Sequence, residues 1–483
     1  MMRCKNSINH TQMKTTVLSF MLLAFSLNGM AQDATSQLTA AYQHSAFALF
    51  NALAQQEKEN VCFSPLSVQM ALSMVQNGAA GNTLNQLQRV LGTEGFSNVE
   101  IGQFNQNLTQ TLTTRPPYKE EYFNFDPETD PQDMYDGMYP TCELANSLWR
   151  RPDVQLYDDF VQALRNYYDA GVDAVYFDTW EGIGKINDWA SDKTHGLIPT
   201  IYKEPQSSDL AVVLANALYF KGGWTQPFSP EETNKGEFLL NDDTYAMVDM
   251  MFSRDKYDFA ITSSFQTITL YYGAEWNSSM TLFVPLEGTA LPPLTYDEWS
   301  ASQQTKNMHI NLYMPRFEIS GKYELKDVLE GLGVTDAFSQ NANFTMMSKV
   351  NRSIGRVSQL SKIQVDEKGT EAAAITVIEM PVGIDITKPE DYQDFRVDRP
   401  FYFTIQSRNA NAILFVGRVS KLNGPQKHVN AIHDTPSAPI VNGKSVNNKC
   451  FDLSGRQIPQ SSILNHQLKR GVYIRGGKKV VVR

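Results

Sequence analysis

The 483-residue chain is poor in the residues and runs that mark several large classes of protein. It has four cysteines and seven histidines. No C-x-x-C pair and no Cys/His spacing suited to a metal ion occurs, so neither a zinc module nor a thiol redox motif is expected. There is no H-E-x-x-H and no G-x-S-x-G elbow, which removes common metalloprotease and serine-hydrolase signatures. Gly182-Ile183-Gly184 lacks the later glycine of a dinucleotide loop, and Gly443-Lys444-Ser445 lacks the upstream glycine of a phosphate loop. His195 lies in a Gly-containing turn, where a structural role is expected. Basic residues are outnumbered, 42 against 52 acidic, for a net charge of −10, so the overall basic footprint of a nucleic-acid binder is missing. No apolar run reaches the roughly 20 residues that a membrane-spanning helix needs. No enzymatic activity, no cofactor and no metal ion are expected on these grounds.

What is present is a hydrophobic share of 42%, as in a globular protein with a full core. Lys14, the apolar run Val17–Leu27 and then Gly29-Met30-Ala31 read as an export signal over residues 1–31, cleaved after Ala31, with a buried helix as the alternative. Cys4 would leave with that segment. Cys62, Cys142 and Cys450 remain, expected as buried or free thiols; one disulfide is possible but not needed for a core of this size.

Residues 33–424 read as a single globular unit of the α+β class, with helices early and strands later. Ala46, Leu49, Phe50 and Leu53 follow helical spacing, as do Tyr157, Phe160, Val161, Leu164 and Tyr168. Leu210–Phe220 is a near-continuous apolar run, the mark of a strand buried on both faces. His309–Met314 alternates, with Ile310, Leu312 and Met314 on one side. Phe401–Gln406 and Ala412–Val419 read as strands joined by a turn over residues 407–411. The acidic, aromatic, Pro-rich stretch 115–140 reads as a surface insertion, either decoration or a partner site. Residues 425–445 read as a linker, followed by a separate β-rich tail over residues 446–483.

One stretch breaks the local grammar. Val365-Asp366-Glu367-Lys368-Gly369-Thr370-Glu371-Ala372-Ala373-Ala374-Ile375-Thr376-Val377 begins as a strand, then offers three alanines with little to bury. Met380-Pro381 and Gly383 oppose a helix. A long exposed loop follows, up to Pro400, and such loops are usually functional. At period two, Thr370, Ala372, Ala374 and Thr376 share one face, and all are small. That suits a strand that must slide between two others in a close-packed interior. Gly369 supplies the hinge.

Here the chain resembles the serpins, the serine protease inhibitor family. Glu367-Lys368-Gly369-Thr370-Glu371-Ala372-Ala373-Ala374 is similar to the hinge of inhibitory members. Further blocks follow in the family's order: Asn60-Val61-Cys62-Phe63-Ser64-Pro65-Leu66-Ser67, Ile186-Asn187-Asp188-Trp189, Leu214-Ala215-Asn216-Ala217-Leu218-Tyr219-Phe220-Lys221-Gly222-Gly223-Trp224, Met314-Pro315-Arg316-Phe317 and Phe415-Val416-Gly417-Arg418-Val419. The resemblance implies helices packed on three β-sheets with a reactive loop over residues 367–400. It implies an irreversible inhibitor that offers the loop to a protease, is cut, and inserts the loop into the central sheet. Counting Glu367 as first, the seventeenth residue is Gly383, so the implied scissile bond is Gly383–Ile384, with Val382–Gly383 and Ile384–Asp385 as alternatives. Small apolar residues there point to elastase-like or subtilisin-like serine proteases, or to papain-like cysteine proteases.

Ser64, Ser67, Asn216, Gln359 and Trp224 are the residues implied for the region where the sheet opens. Gln359 stands where inhibitory serpins usually carry a histidine; it can donate and accept but cannot titrate. Ile375 is larger than the family's usual residue, but its parity turns it outward. The rival is a serpin that no longer inhibits and acts as a binding or carrier protein. A monomer is expected, without heparin-type activation, because the stretch before Glu143 is acidic. Cys450–Arg483 resembles the C-terminal sorting domain of the type IX secretion route of Bacteroidetes, which implies a bacterial protein exported to the surface or the medium through that machinery.

Overall fold

The computed structural model describes residues 10–114, 139–208, 210–240, 244–350, 352–370 and 392–428, together with short strands within 450–482. Residues 115–138 of the expected insertion over 115–140, most of the loop and most of the linker lie outside the described residues.

The N-terminal half is helical because its apolar residues recur at three- and four-residue intervals. Helix α1 (His10–Gln56) runs through the expected cleavage point after Ala31. From Leu38 onward it buries Leu38, Tyr42, Ala46, Leu49, Phe50 and Leu53 along one stripe. After β1 (Val61–Phe63), Ser64 caps α2 (Pro65–Gln76) by accepting from the Ser67 amide, with Pro65 in the first turn, where its missing N–H costs nothing. Nearly every residue of α2 is buried, so it is the central helix of the molecule. Helices α3 (Gly81–Leu91) and α4 (Asn98–Thr113) follow, the latter opened by a capping box between Ser97 and Glu100.

The chain then alternates. β2 (Thr141–Arg150), α5 (Asp158–Tyr168), β3 (Gly171–Ala174), α6 (Trp180–Lys193) and β4 (Val212–Gly223) lead into the β-rich half. That half holds β5 (Asn234–Leu239), β6 (Thr244–Ile261), β7 (Phe265–Tyr272), β8 (Ser278–Pro285), α7 (Tyr296–Ser302), β9 (Lys306–Pro315), β10 (Phe317–Glu324) and α8 (Lys326–Gly331). It closes with β11 (Ser358–Val365), β12 (Gly369–Thr370), β13 (Gln393–Arg396), β14 (Phe401–Ser407), β15 (Ala412–Val419) and β16 (Gln426–His428).

A six-stranded sheet has the order β10-β11-β12-β4-β2-β3. A ten-stranded ladder runs β1-β15-β14-β8-β7-β6-β9-β13, with β5 and β16 also on β6. The 18-residue β6 is the hub of this ladder: its first residues pair with β5 and β16, Met250–Phe259 pair with β9, and its end pairs with β7. In the tail, β17 (Cys450–Asp452), β18 (Gln457–Ile458), β19 (Gly471–Arg475) and β20 (Lys478–Val482) make a separate four-stranded antiparallel sheet.

The apolar run over Leu210–Phe220 becomes β4, and its continuity has a cause. Val213 and Ala215 pack with Ile183 and Ile186 of α6, while Leu218 and Phe220 join the main core on the other side. The expected parity of Ile310, Leu312 and Met314 holds: all three are buried. Cys62 and Cys142 are free and buried, and burial pushes both thiols up to about 12, which leaves them inert at neutral pH.

Candidate functional site

The site is a seam in the six-stranded sheet. β11 and β4 are each antiparallel to β12, so they run in the same direction on either side of it. β12 is two residues long: Thr370 pairs with Val365 and Gly222, and Gly369 pairs with Gly223. Among the described residues, β12 makes the only ladder rungs between β11 and β4. The first residues of the hinge are thus already seated between the two strands.

Several contacts hold them there. Gly369 has φ +154°, and a Cβ at this position would lie 2.1 Å from the Gly222 carbonyl oxygen, so glycine is required. Thr370 is buried, and its hydroxyl meets the Tyr272 hydroxyl at 2.6 Å. Burial pushes the Tyr272 phenol far up, which keeps it neutral beside the strand. Trp224 stacks on Tyr272 with ring centroids 4.5 Å apart. Its indole N–H donates to the Asp366 carbonyl at 2.9 Å, and its amide donates to the Lys368 carbonyl at 2.8 Å.

Glu367 is buried, yet it is charged. Burial alone would raise its pKa, but the Arg316 guanidinium, donating to both carboxylate oxygens at 2.7 Å, and the Thr233 hydroxyl together hold it below the ordinary carboxylate range. Arg316 stays partly exposed, so the ion pair is half in solvent.

The opposite end of the seam is closed by amides instead of charges. Gln359 on β11 donates to the Ser64 carbonyl at 2.6 Å and accepts from the Ser64 amide at 3.3 Å. The Ser361 hydroxyl donates to the Cys62 carbonyl at 2.6 Å. On the β4 side, Asn216 donates to Asn146, which donates to the Tyr168 carbonyl at 2.8 Å. The Asn216 Oδ1 is buried without a partner, an unusual state for an amide oxygen. Helix α6 and the segment after it cross the outer face, over a shallow cleft lined by Trp189, Ile198, Leu214, Asn216, Ser358 and Leu360.

Of the residues expected from sequence, Ser64, Ser67 and Gln359 come together, with Ser67 bonded to the Ser64 hydroxyl. Asn216 lies across the seam, bonded to Asn146 and not to Gln359. Trp224 sits at the other end, with the hinge. Glu367, Gly369 and Thr370 are described; Ala372, Ala373, Ala374, Thr376, Val382, Gly383 and Ile384 lie outside the described residues. Sequence reasoning missed Arg316, Thr233, Tyr272 and Asn146 as partners. Arg316 stood inside a quoted block, and its charge beside an apolar strand was the available signal. No group of three or more metal-ligating side chains occurs among the described residues.

Neuroserpin of Gallus gallus is 30% identical over 390 residues, covering 76% of this chain and 87% of that protein. The thermophilic serpin tengpin in its native state superposes with a TM-score of 0.67 at 24% identity, over 79% of this chain and 94% of that one. Human thyroxine-binding globulin gives 0.68 at 23%, over 80% and 99%. The family model described as "Serpin (serine protease inhibitor)" matches residues 40–422, and the chain belongs to the serpin family.

Proposed function

We propose that this serpin is a single-use inhibitor of serine or papain-like cysteine endopeptidases, working by cleavage of the loop and its insertion along the seam. The observation that carries the proposal is β12: a strand started between two parallel strands, with small residues next in line. Continuing its register sets residues 371–377 against Gln364–Ser358 of β11 and Lys221–Ala215 of β4. Ala372 then falls between Ile363 and Phe220, and Ala374 between Ser361 and Leu218, all on the core side, where bulk has no room. Thr376 falls between Gln359 and Asn216, where a hydroxyl supplies the donor that the Asn216 Oδ1 lacks.

The chemistry proposed with it is the one the family resemblance implies. The protease nucleophile attacks at Gly383–Ile384 and is acylated by the loop. The freed segment gains main-chain hydrogen bonds on both edges, each contributing about 1 kcal/mol. Insertion drags the tethered protease along the sheet, and misplacing its catalytic groups by about 1 Å is enough to slow deacylation about a hundredfold.

A second reading, a carrier serpin, is favoured by the fold shared with thyroxine-binding globulin. The glycine and small residues of the hinge favour inhibition over it. Export by the N-terminal segment and sorting by the C-terminal β-tail belong to the same proposal, as does action on elastase-like, subtilisin-like or papain-like targets outside the cell.

The test is incubation of the full chain with elastase, subtilisin and papain. A complex that survives boiling in detergent, a released fragment beginning at Ile384, and a rise of tens of degrees in the melting point of the cut protein are expected. Cleavage with neither complex nor rise in heat resistance would sink the inhibitory reading and leave the carrier.

A further inference from the structure

The chain leaves the family-matched region at Leu422, just past the end of β15, and soon rejoins the ten-stranded ladder. Asn60 pins this exit, accepting from the Ser420 and Lys421 amides and donating to the Lys421 carbonyl. The next residues return to β6. The Met247 amide donates to the Pro425 carbonyl at 3.0 Å, and β16 pairs antiparallel, Gln426 with Ala246, Lys427 with Tyr245 and His428 with Thr244. Gly424 approaches so closely that a Cβ there would lie 2.2 Å from the Met247 carbonyl oxygen.

The position of this added strand matters. β9 ends opposite Met250, so the first residues of β6 would otherwise form a bare edge of the β5–β6 hairpin. A two-stranded hairpin is marginal by itself, whereas a third strand stabilises it. This hairpin touches both anchors of the reactive loop. Thr233, immediately before β5, bonds Glu367 at the hinge, and the Leu239 amide, at the end of β5, donates to the Asp398 carbonyl at 2.7 Å, just after β13. β13 itself is an edge strand, held by a four-residue parallel ladder to β9. Each residue of an uncut loop drawn into the seam shortens the chain left to reach Gln393 and pulls on β13.

We infer that residues 424–428 form a strap that stiffens the β5–β6 hairpin and so keeps the uncut loop from being absorbed into the sheet. The inference rests on the inhibitory reading above. It gives the segment after the family-matched region a task of its own: preserving the active form until a protease arrives.

The test uses the full chain with Gly424→Val, which the Met247 carbonyl cannot accommodate, and separately Lys427→Pro. By antiparallel alternation from the Met247–Pro425 rung, Lys427 is the next residue whose N–H faces the ladder. Freshly made variants should form detergent-stable complexes as the parent does. On storage at 37 °C without protease they should lose that ability at least about fivefold faster, with a matching gain in heat resistance of the uncut chain. Equal lifetimes for parent and both variants would overturn the strap. Amide hydrogen exchange over Leu239–Met247 separates this failure from failure of the inhibitory reading, because it needs no protease. Faster exchange in both variants supports the strap, and unchanged exchange overturns it even if no complex ever forms.

Discussion

The two ends of the seam between β11 and β4 are built differently. At the hinge end the gap is already filled by Gly369 and Thr370, held by a stacked Trp224–Tyr272 pair and an Arg316–Glu367 ion pair. At the Gln359 end no inserted strand is described, and neutral amides hold the flanking strands to Ser64 and Asn146, with one amide oxygen left unpaired. The difference teaches a direction. On the proposed mechanism, insertion would begin where a strand is seated and charged groups keep register, and would proceed toward contacts that can exchange partners without moving a charge.

The comparison breaks most decisively at the filled end. Thr370→Arg forces a cation into the space beside Tyr272, where an unpaired buried charge costs several kcal/mol. The variant should be cut as a substrate, with the yield of detergent-stable complex reduced at least about tenfold, read as the stoichiometry of inhibition. Full inhibition would mean that β12 does not lead the insertion.

At the other end, Gln359→Leu strips the partner from the buried Ser64 amide and takes one of two donors from the Ser64 carbonyl, which keeps the Val68 amide at 3.4 Å. One orphaned buried amide costs about 1–3 kcal/mol, so the uncut protein should lose about that much, visible as a lower urea midpoint. A shift no larger than that of an exposed substitution would mean that this closure is not structural.

The smallest expected effect is that of Glu367→Gln, about 1 kcal/mol, because Arg316 remains partly solvated. Its signature is pH. The Glu367 carboxyl is held below its ordinary range, so its contribution to stability is complete above that range and is lost as pH falls through the depressed folded value. Unfolding midpoints of the parent and E367Q should therefore differ at neutral pH and converge toward strong acid. Parallel curves would remove the ion pair from the account of the hinge.

How much of this was legible in the sequence follows from the range of each signal. Alternation exposed β9, because burial on one face repeats every second residue; β14 and β15, buried on both faces, showed instead as apolar runs on either side of a turn. The small face beginning at Thr370 was legible by the same alternation as β9, and the structure buries Thr370 in the core. The partners were not legible. Arg316 and Glu367 are 51 positions apart and Tyr272 and Thr370 are 98 apart, and only the sheet register brings them together. Trp224 was expected beside Gln359, yet it lies with the hinge, since a family block fixes a residue's neighbours in the chain and not its end of the seam. β16 fell in what read as a linker, because a three-residue strand led by Pro425 carries no period of its own.

The Trp224–Tyr272 stack has a practical consequence. The indole rests on the ring that touches Thr370 and is bonded to the turn carrying the hinge, so any change in the seated strand alters the surroundings of a fluorophore the molecule already owns. Stopped-flow emission from the unlabelled protein, with Trp224→Phe as the blank, would clock the proposed insertion against the proposed cut.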